Sequence, residues 1–204
     1  METIMRQAEI SRETKETRIS LRLNLDGSGK SDVSTGVGFL DHMLAHIARH
    51  GLFDLTVSAQ GDLHIDAHHT VEDVGICLGK AFAQALAAGP KGGVGLARFG
   101  HAVAPMDEAL GEAAVDISGR PFLVFLADFP QGRVGEFDAE LVEEFFRAFA
   151  VNARVTLHLT ARYGNNVHHM IEGMFKAFAR AMREAVRLDP CVMDVPSTKG
   201  MLEQ

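Results

Sequence analysis

Two stretches of the chain repeat one chemical pattern. Residues 68–72 read His-His-Thr-Val-Glu and residues 168–172 read His-His-Met-Ile-Glu, one hundred positions apart in a chain of 204. Imidazole and carboxylate together suit a borderline transition metal such as zinc, manganese or iron. Positions four apart share one face of a helix. His68 with Glu72, and His168 with Glu172, can therefore each hold one ion. The adjacent His69 and His169 are turned away by about a hundred degrees and reach towards a second ion. One His-x-x-x-Glu is common surface decoration, but its repetition at matched places points to two metals in a duplicated protein. Helix starts disfavour cations, so four histidines placed there need a chemical reason.

The elements that position these ligands follow from hydrophobic periodicity. Residues 1–14 are polar and read as loose. Residues 17–25 alternate, with Ile19, Leu21, Leu23 and Leu25 against Arg18, Ser20, Arg22 and Asn24, the pattern of a half-buried strand. After the turn at 26–29, a short strand is expected at 32–35, a helix at 39–50 and a strand at 54–59. A long helix is expected at 68–88, stopped by Gly89-Pro90. A glycine-rich stretch, 89–95, joins this half to a second. There, strands are expected at 112–117, 122–129 and 154–160, and helices at 139–151 and from 168 to about 189.

The apolar positions of the second long helix are those of the first plus one hundred. In the shorter helices the offset is 102, so Leu40, Met43, Leu44 and Ile47 fall on Val142, Phe145, Phe146 and Phe149. The chain reads as a duplicated β-β-α-β-α unit, about 15–90 and 95–190, forming one pseudo-symmetric α+β domain whose helices cover sheet faces. The same offset aligns His42 with Glu144. Eight ligand candidates result: His42, His68, His69, Glu72, Glu144, His168, His169 and Glu172. The symmetric partition places His42, His68, Glu72 and His169 on one ion, and Glu144, His168, Glu172 and His69 on the other. Asp41 and Asp73 flank ligands and are expected to orient imidazoles. His46, His50, His64, His101 and His158 read as structural or supporting. The Phe-rich stripes of the second half read as core.

Composition narrows the class. At 47% hydrophobic and 23% charged the chain is an ordinary globular protein. A formal charge of −7 argues against a nucleic-acid partner, which requires a basic face. A small anion remains compatible, because a local basic pocket outweighs net charge. Arg98, Arg120 and Lys176, with Ser197 and Lys199 of the C-terminal Ser-Thr-Lys-Gly, are the candidates for binding it. Cys77 and Cys191 make neither a disulfide framework nor a zinc pair. No secretory signal is visible in residues 1–15, and no apolar run approaches the roughly 18 residues of a membrane span. A cytoplasmic protein with no membrane partner is expected. No nucleotide-binding glycine loop is present.

Four runs carry a resemblance: residues 38–44 (Gly-Phe-Leu-Asp-His-Met-Leu), 64–73 (His-Ile-Asp-Ala-His-His-Thr-Val-Glu-Asp), 166–172 (Asn-Val-His-His-Met-Ile-Glu) and 196–200 (Pro-Ser-Thr-Lys-Gly). In order and length they resemble the imidazoleglycerol-phosphate dehydratase family, from about residue 12 to 202. The resemblance implies dehydration of imidazole glycerol phosphate to imidazole acetol phosphate in histidine biosynthesis, with two Mn²⁺ per subunit; Zn²⁺ or Fe²⁺ also suits the ligands. It implies two sheets packed on a helical layer, and one catalytic domain, 1–204, with a substrate-binding tail, 191–204. It further implies a large octahedral homo-oligomer, a 24-mer, with metals and substrate at subunit contacts, so that one chain's ligands are completed by a neighbour. Glu144 stands where many members carry His.

The family pattern makes Glu16 the proton-handling and substrate-contacting candidate, with His42, His69 and His169 at the reacting centre. It gives Arg98, Lys176, Ser197 and Lys199 to the phosphate and Arg120 to a further substrate contact. The proton that must leave sits on a carbon with no adjacent carbonyl. Lewis acids at the imidazole nitrogens would favour the ring anion, which expels the neighbouring hydroxyl and makes that C–H acidic. The competing readings are a dinuclear phosphate-ester hydrolase, a ferritin-like metal store and an assembly glued by metals.

Overall fold

The computed structural model describes residues 5–90, 93–199 and 202. Lys91 and Gly92 of the glycine-rich connection and Gly200 of the last motif lie outside them. The first half runs β1 (Gln7–Glu13), β2 (Thr17–Asn24), β3 (Ser31–Ser34), α1 (Gly38–Gly51), β4 (Asp54–Gly61) and α2 (His68–Ala87). The second runs β5 (Phe99–Met106), β6 (Ala109–Asp116), β7 (Phe122–Leu126), a small hairpin of β8 (Arg133–Val134) and β9 (Phe137–Asp138), then α3 (Leu141–Ala153), β10 (Thr156–Tyr163) and α4 (Val167–Ala185).

The two sheets share one topology. Their orders are β1-β2-β4-β3 and β5-β6-β10-β7. In each, the first three strands of the order pair antiparallel and the last, reached across the short helix, pairs parallel. The alternation in β2 buries Ile19, Leu21 and Leu23, with Leu21 between Ile10 and Val57. The fold is the expected α+β class, with a helical layer between two sheets.

Each four-stranded sheet carries one more strand than the periodicity predicts, and the second half adds the β8–β9 hairpin. Residues 7–13, expected to be loose, form β1, and the first repeat therefore begins before residue 15. The inward positions of β1 are Ala8, Ile10 and Arg12, too weakly apolar to show an alternation. In β5 the buried positions are Gly100, Ala102 and Ala104, while Phe99 and Val103 face outward, so the apolar pattern is inverted. Gly100 is small for a reason: a Cβ there would lie 1.9 Å from the Ala181 carbonyl of α4. The helix expected to run to about 189 ends at Ala185, and the strand expected at 122–129 ends at Leu126.

The helices pair across the halves. Each long helix lies on its own sheet and packs against the short helix of the other half, α2 with α3 and α1 with α4. Aromatic rings lock this layer. Phe53, Phe82, Phe149, Phe178 and Phe146 form a chain of edge-on contacts, with centroids 4.9–5.4 Å apart. Each such pair contributes about 0.5–1.5 kcal/mol beyond its burial. The Phe stripes are therefore core, as read. The sheets' outer faces differ. Glu9, Arg22, Thr56 and Asp32 make a polar row on the first. Phe99, Phe122 and Leu126 stand exposed on the second. Among the described residues no helix is long and apolar enough to cross a membrane.

At the α2–α3 crossing the backbones nearly touch. A Cβ on Gly79 would lie 2.6 Å from the Phe149 carbonyl oxygen and 2.8 Å from Asn152 Cβ. Helix propensity alone favours Gly79→Ala by about 1 kcal/mol. The contact predicts the opposite sign, a loss of about 1–3 kcal/mol from overpacking, read as a lower melting temperature.

Arg6, buried just before β1, joins the halves. Its guanidinium binds Asp26 through two nitrogens and donates to the Val186 carbonyl beyond α4. Those hydrogen bonds hold the Asp26 carboxyl below its usual range. The pair contributes fully above the unfolded Asp value of about 3.9, and the contribution is lost as pH falls through the lowered folded value. Asp26 is half-exposed, so screening reduces its worth. Asp26→Asn should cost about 1 kcal/mol at pH 7, and urea melts should show the gap to the parent closing at acid pH.

Candidate metal centre

Both His-His motifs open long helices, and each is set by a side chain two residues upstream. Asn166 Oδ1 accepts from His168 N (2.9 Å) and His169 N (3.4 Å). Asp66 Oδ1 accepts from His68 N (2.8 Å). These caps satisfy amide hydrogens that a helix start leaves unpaired and fix the direction in which the histidines leave the backbone.

Because α1 crosses α4, His42 of the first half meets the motif of the second. His42 Nε2 and His168 Nε2 each lie 3.1 Å from Glu172 Oε2. The three ligand atoms lie within 4.8 Å of one another. Glu172 is buried, while His42 and His168 are half-open to solvent. Within one chain the structure brings His42 to His168 and Glu172, and not to His68 and Glu72 as the partition by half expects. The reason is the helix pairing, which brings a short helix against the long helix of the opposite repeat.

A lysine and an imidazole support Glu172. Lys176 Nζ donates to Glu172 Oε1 at 2.6 Å and contacts Met106 Sδ at 3.3 Å. In this chain Lys176 is thus engaged with the ligand carboxylate through part of its three-donor ammonium. His46 Nε2 lies 3.3 Å from Glu172 Oε1 and 3.2 Å from His42 Nε2. Burial would raise the Glu172 pKa, but Lys176, His46 and His168 overcome it and hold the carboxyl at about 2. Burial pushes His46 down to about 4, so it is neutral at pH 7. Glu172 is therefore ionised beside a neutral His46, and an ionised carboxylate is the form a metal ligand requires.

The second group is looser within one chain. His68 Nε2 stands 4.0 Å from Glu72 Oε2 on the first turn of α2. Glu144 lies in the first turn of α3, half-buried, with no hydrogen bond or ion pair among the described residues. The four-residue step from His68 to Glu72 nonetheless keeps both on one face.

His69 and His169 turn out of these groups, and each is held by a carboxylate. His69 Nδ1 binds Asp62 at 3.0 Å and its Nε2 lies 3.9 Å from Glu16 Oε1. His169 Nδ1 binds Glu108 Oε2 at 2.7 Å. Hydrogen bonding to His169, and to the Asn165 and Asn166 amides, holds Glu108 down to about 2; the same pairing raises His169, as Asp62 raises His69. A carboxylate only accepts, so each Nδ1 carries the hydrogen and the neutral ring presents a bare Nε2, as a metal-bound histidine does. Asp62 and Glu108 are the orienting acids that sequence reasoning missed. They stand 7 and 61 residues before their histidines, so no shared spacing marks them. Asp41 and Asp73, expected in that role, serve the scaffold instead. Asp41 accepts from Thr35 N and Oγ1 (2.9 and 2.6 Å), and Asp73 binds Thr17 and Arg12.

The remaining anion candidates lie elsewhere. Arg98 is forked onto Asp116 (2.7 and 3.1 Å) and donates to the Pro196 carbonyl (2.6 Å). Arg120 approaches Asp116 at 3.9 Å, and Ser197 Oγ accepts from Lys199 N at 3.2 Å. Arg98 N bonds the Ala185 carbonyl at the far end of α4, thirteen residues beyond Glu172, or about 20 Å along the helix. Leu96 nearby shares a hollow with Leu86 and Ala87 at the far end of α2. The Arg98–tail cluster is thus remote from both His-His motifs of its own chain.

Fold and site together define a duplicated α+β protein with crossed imidazole–carboxylate groups that could hold a metal ion. A sequence model described as imidazoleglycerol-phosphate dehydratase matches residues 35–182. The chain is 59% identical over 197 residues to the imidazoleglycerol-phosphate dehydratase of Symbiobacterium thermophilum, covering 97% of this chain and 93% of that protein. It is 57% identical over 198 residues to that of Gluconacetobacter diazotrophicus, covering 97% and 98%. Among solved structures it superposes on the dehydratase of Staphylococcus aureus with a TM-score of 0.80 at 40% identity, over 89% of this chain and 99% of that one. The Pyrococcus furiosus enzyme, solved in complex with (S)-C348, gives 0.81 at 35% identity, over 95% and 100%. The chain belongs to the imidazoleglycerol-phosphate dehydratase family, and it is an enzyme of the hydro-lyase class.

Glu172→Gln keeps the shape of the central ligand but removes its charge. It is expected to weaken divalent-metal binding by roughly 100-fold or more, measured as metal retained after gel filtration. Unchanged helix content by circular dichroism would show that the fold survives.

Proposed function

We propose that the chain dehydrates imidazole glycerol phosphate to imidazole acetol phosphate in histidine biosynthesis, and that its His–Glu groups do this with bound metal. The convergence of His42, His168 and Glu172 carries the reading. Donor atoms about 3 Å apart match the spacing of neighbouring ligands on an ion bound at about 2.0–2.2 Å. The buried carboxylate is ionised, and among the described residues His42 and His168 meet no other acid. The residues therefore fit a divalent cation.

His42, His168 and Glu172 would hold one ion, and His68, Glu72 and Glu144 the other. His69 and His169, turned outward with their Nε2 atoms bare, would complete the sites of neighbouring copies. A mixed imidazole and carboxylate set suits Mn²⁺, Zn²⁺ or Fe²⁺, and the family resemblance favours two Mn²⁺ per subunit. When bound, such ions supply Lewis acidity at the substrate's imidazole.

The chain's own residues do the rest. Glu16, exposed and 3.9 Å from His69, is placed to move a proton beside that ring. Lys176 neutralises Glu172. Arg98, Arg120, Ser197 and Lys199 would bind the phosphate, with Arg98 anchoring the tail that carries the last two. Their separation from both His-His motifs supports a site shared between copies, because a six-carbon ester cannot span that distance in one chain. A large homo-oligomer, a 24-mer in the family pattern, would bring one copy's tail to another's metal groups. The whole chain then acts as one catalytic domain, with residues from 191 onward as its substrate-binding tail. Its biosynthetic role and unpaired Cys77 and Cys191 support a cytoplasmic setting.

The test is turnover by chelator-treated protein with and without Mn²⁺. Restored formation of the enolisable ketone, with no free phosphate, is expected. Phosphate release instead would identify a dinuclear hydrolase and overturn the dehydratase reading for this chain.

A further inference from the structure

Asp73 is a buried acid on α2, one helical turn beyond His69. Positions four apart share a helix face, so the acid and the histidine stand on one side of α2. The two oxygens of Asp73 go to the two strands of one hairpin. Oδ1 pairs with Arg12 of β1 at 2.8 Å, and Oδ2 accepts from the Thr17 hydroxyl of β2. Between those strands the chain turns at residues 14–16. Glu16 sits on that turn, half-exposed, with its Oε1 3.9 Å from His69 Nε2.

The backbone of the turn is fixed from below. Thr14 Oγ1 accepts from Glu16 N at 3.1 Å and from Thr17 N at 3.0 Å. The Glu16 carbonyl accepts from Asp62 N at 3.1 Å, and Asp62 is the acid that holds His69 Nδ1. Gly61, paired with Thr17, lets the first turn of α2 sit close: a Cβ there would lie 2.0 Å from Thr70 Oγ1. Asp73 ties both strands of the hairpin to this helix start. A slip of the hairpin on α2 would therefore change the distance from Glu16 to His69.

The fold does not itself require a charge at this place. A buried ion pair is weak evidence of stability, and the duplication supplies an internal comparison. One hundred residues after Asp73 stands Gly173, where α4 meets β6 by close backbone approach: a Cβ on Gly173 would lie 3.3 Å from Gly111 N. The second half thus seats its long helix on its sheet with no acid at the matching position. Arg12 is equally unlike its surroundings, facing inward from β1 beside Ala8 and Ile10. The carboxylate clamp belongs to the half that carries Glu16.

We propose that Asp73, through Arg12 and Thr17, is a positioning residue that holds the Glu16 carboxylate beside His69 for proton transfer, a role that rests on the dehydratase reading and on Glu16 as its proton-handling group. A reacting group misplaced by about 1 Å can cost about 100-fold in rate, so the tie between hairpin and helix sets the efficiency of the step without touching the substrate.

The experiment is steady-state kinetics of the intact, metal-loaded protein on imidazole glycerol phosphate, with bound metal measured and residues 12–17 followed by hydrogen exchange. Asp73→Asn should lower kcat by about 10- to 100-fold, with KM within about threefold and metal content unchanged. Thr17→Val keeps the shape but not the hydroxyl and should lower kcat by about tenfold, whereas Thr17→Ser should restore it to within about twofold. In each slow variant the amides of residues 14–17 should exchange faster. In a Glu16→Gln background Asp73→Asn should cost nothing further, because the two side chains act through one group. If Asp73→Asn does not assemble, the Thr17 pair carries the test alone. Parent-like kcat, unchanged exchange, loss of bound metal or a fully additive loss in the Glu16→Gln background would each overturn the proposal. An inactive parent would sink the dehydratase reading and the proposal with it, whereas an active parent with unaffected variants overturns the proposal alone.

Discussion

His42 and Glu172 are 130 residues apart and come within 3.1 Å because α1 lies along α4. That crossing is itself set elsewhere. It needs α3 to occupy α2, which Gly75 and Gly79 permit by offering no side chain at the contact. It needs α4 pressed onto its sheet, which Gly100, Gly111 and Gly173 permit in the same way. The Phe chain then fixes the layer. Small residues under the helices and large ones between them are two sides of one packing solution. The metal centre is where that solution brings polar ends together.

The centre also solves an electrostatic problem. Two histidines at a helix start would be unfavourable as cations. Burial keeps His46 neutral, and the acids at Asp62 and Glu108 take up the Nδ1 hydrogens of His69 and His169. Lys176 supplies the compensating charge for a carboxylate that burial would otherwise protonate. In their neutral form His69 and His169 then turn Nε2 away from the acid that holds Nδ1. The rings are set in place before any ligand arrives, so little ordering entropy is left to lose on binding.

The sequence was most legible where a side chain's role follows from spacing along one element. The motif helices, the α1 stripe and the alternation of β2 are of this kind, and the His68/Glu72 and His168/Glu172 pairings are local to one helix turn. Legibility failed where a role depends on another element. β5 escaped notice because small inner residues were needed beneath α4, which inverted the apolar pattern, and β1 because Arg12 takes an inner position beside Ala8 and Ile10. The meeting of His42 with His168 and Glu172 was not legible because helix pairing across repeats leaves no mark in periodicity. Asp62 and Glu108 serve equivalent histidines from inequivalent places in the chain, so duplication could not point to them. Arg98 and Lys176 were found by charge, but charge could not reveal that Asp116 and Glu172 already hold them.

The crossing has a consequence for how such a molecule came to exist. A single repeat leaves its short helix without a partner and exposes the stripe that α2 or α4 covers in the full chain. One unit alone could not close its own core. An ancestral half must have folded as a pair of identical chains, each lending its short helix to the other. Fusion made that partnership permanent and removed its dependence on concentration. It also freed the copies to differ. Glycines could gather in α2 while phenylalanine took the matching place in α4, an imidazole at 42 could have a carboxylate at 144 as its counterpart, and one sheet could turn a polar face outward while the other did not. The asymmetry now visible is open only to a dimer whose two members have become one chain.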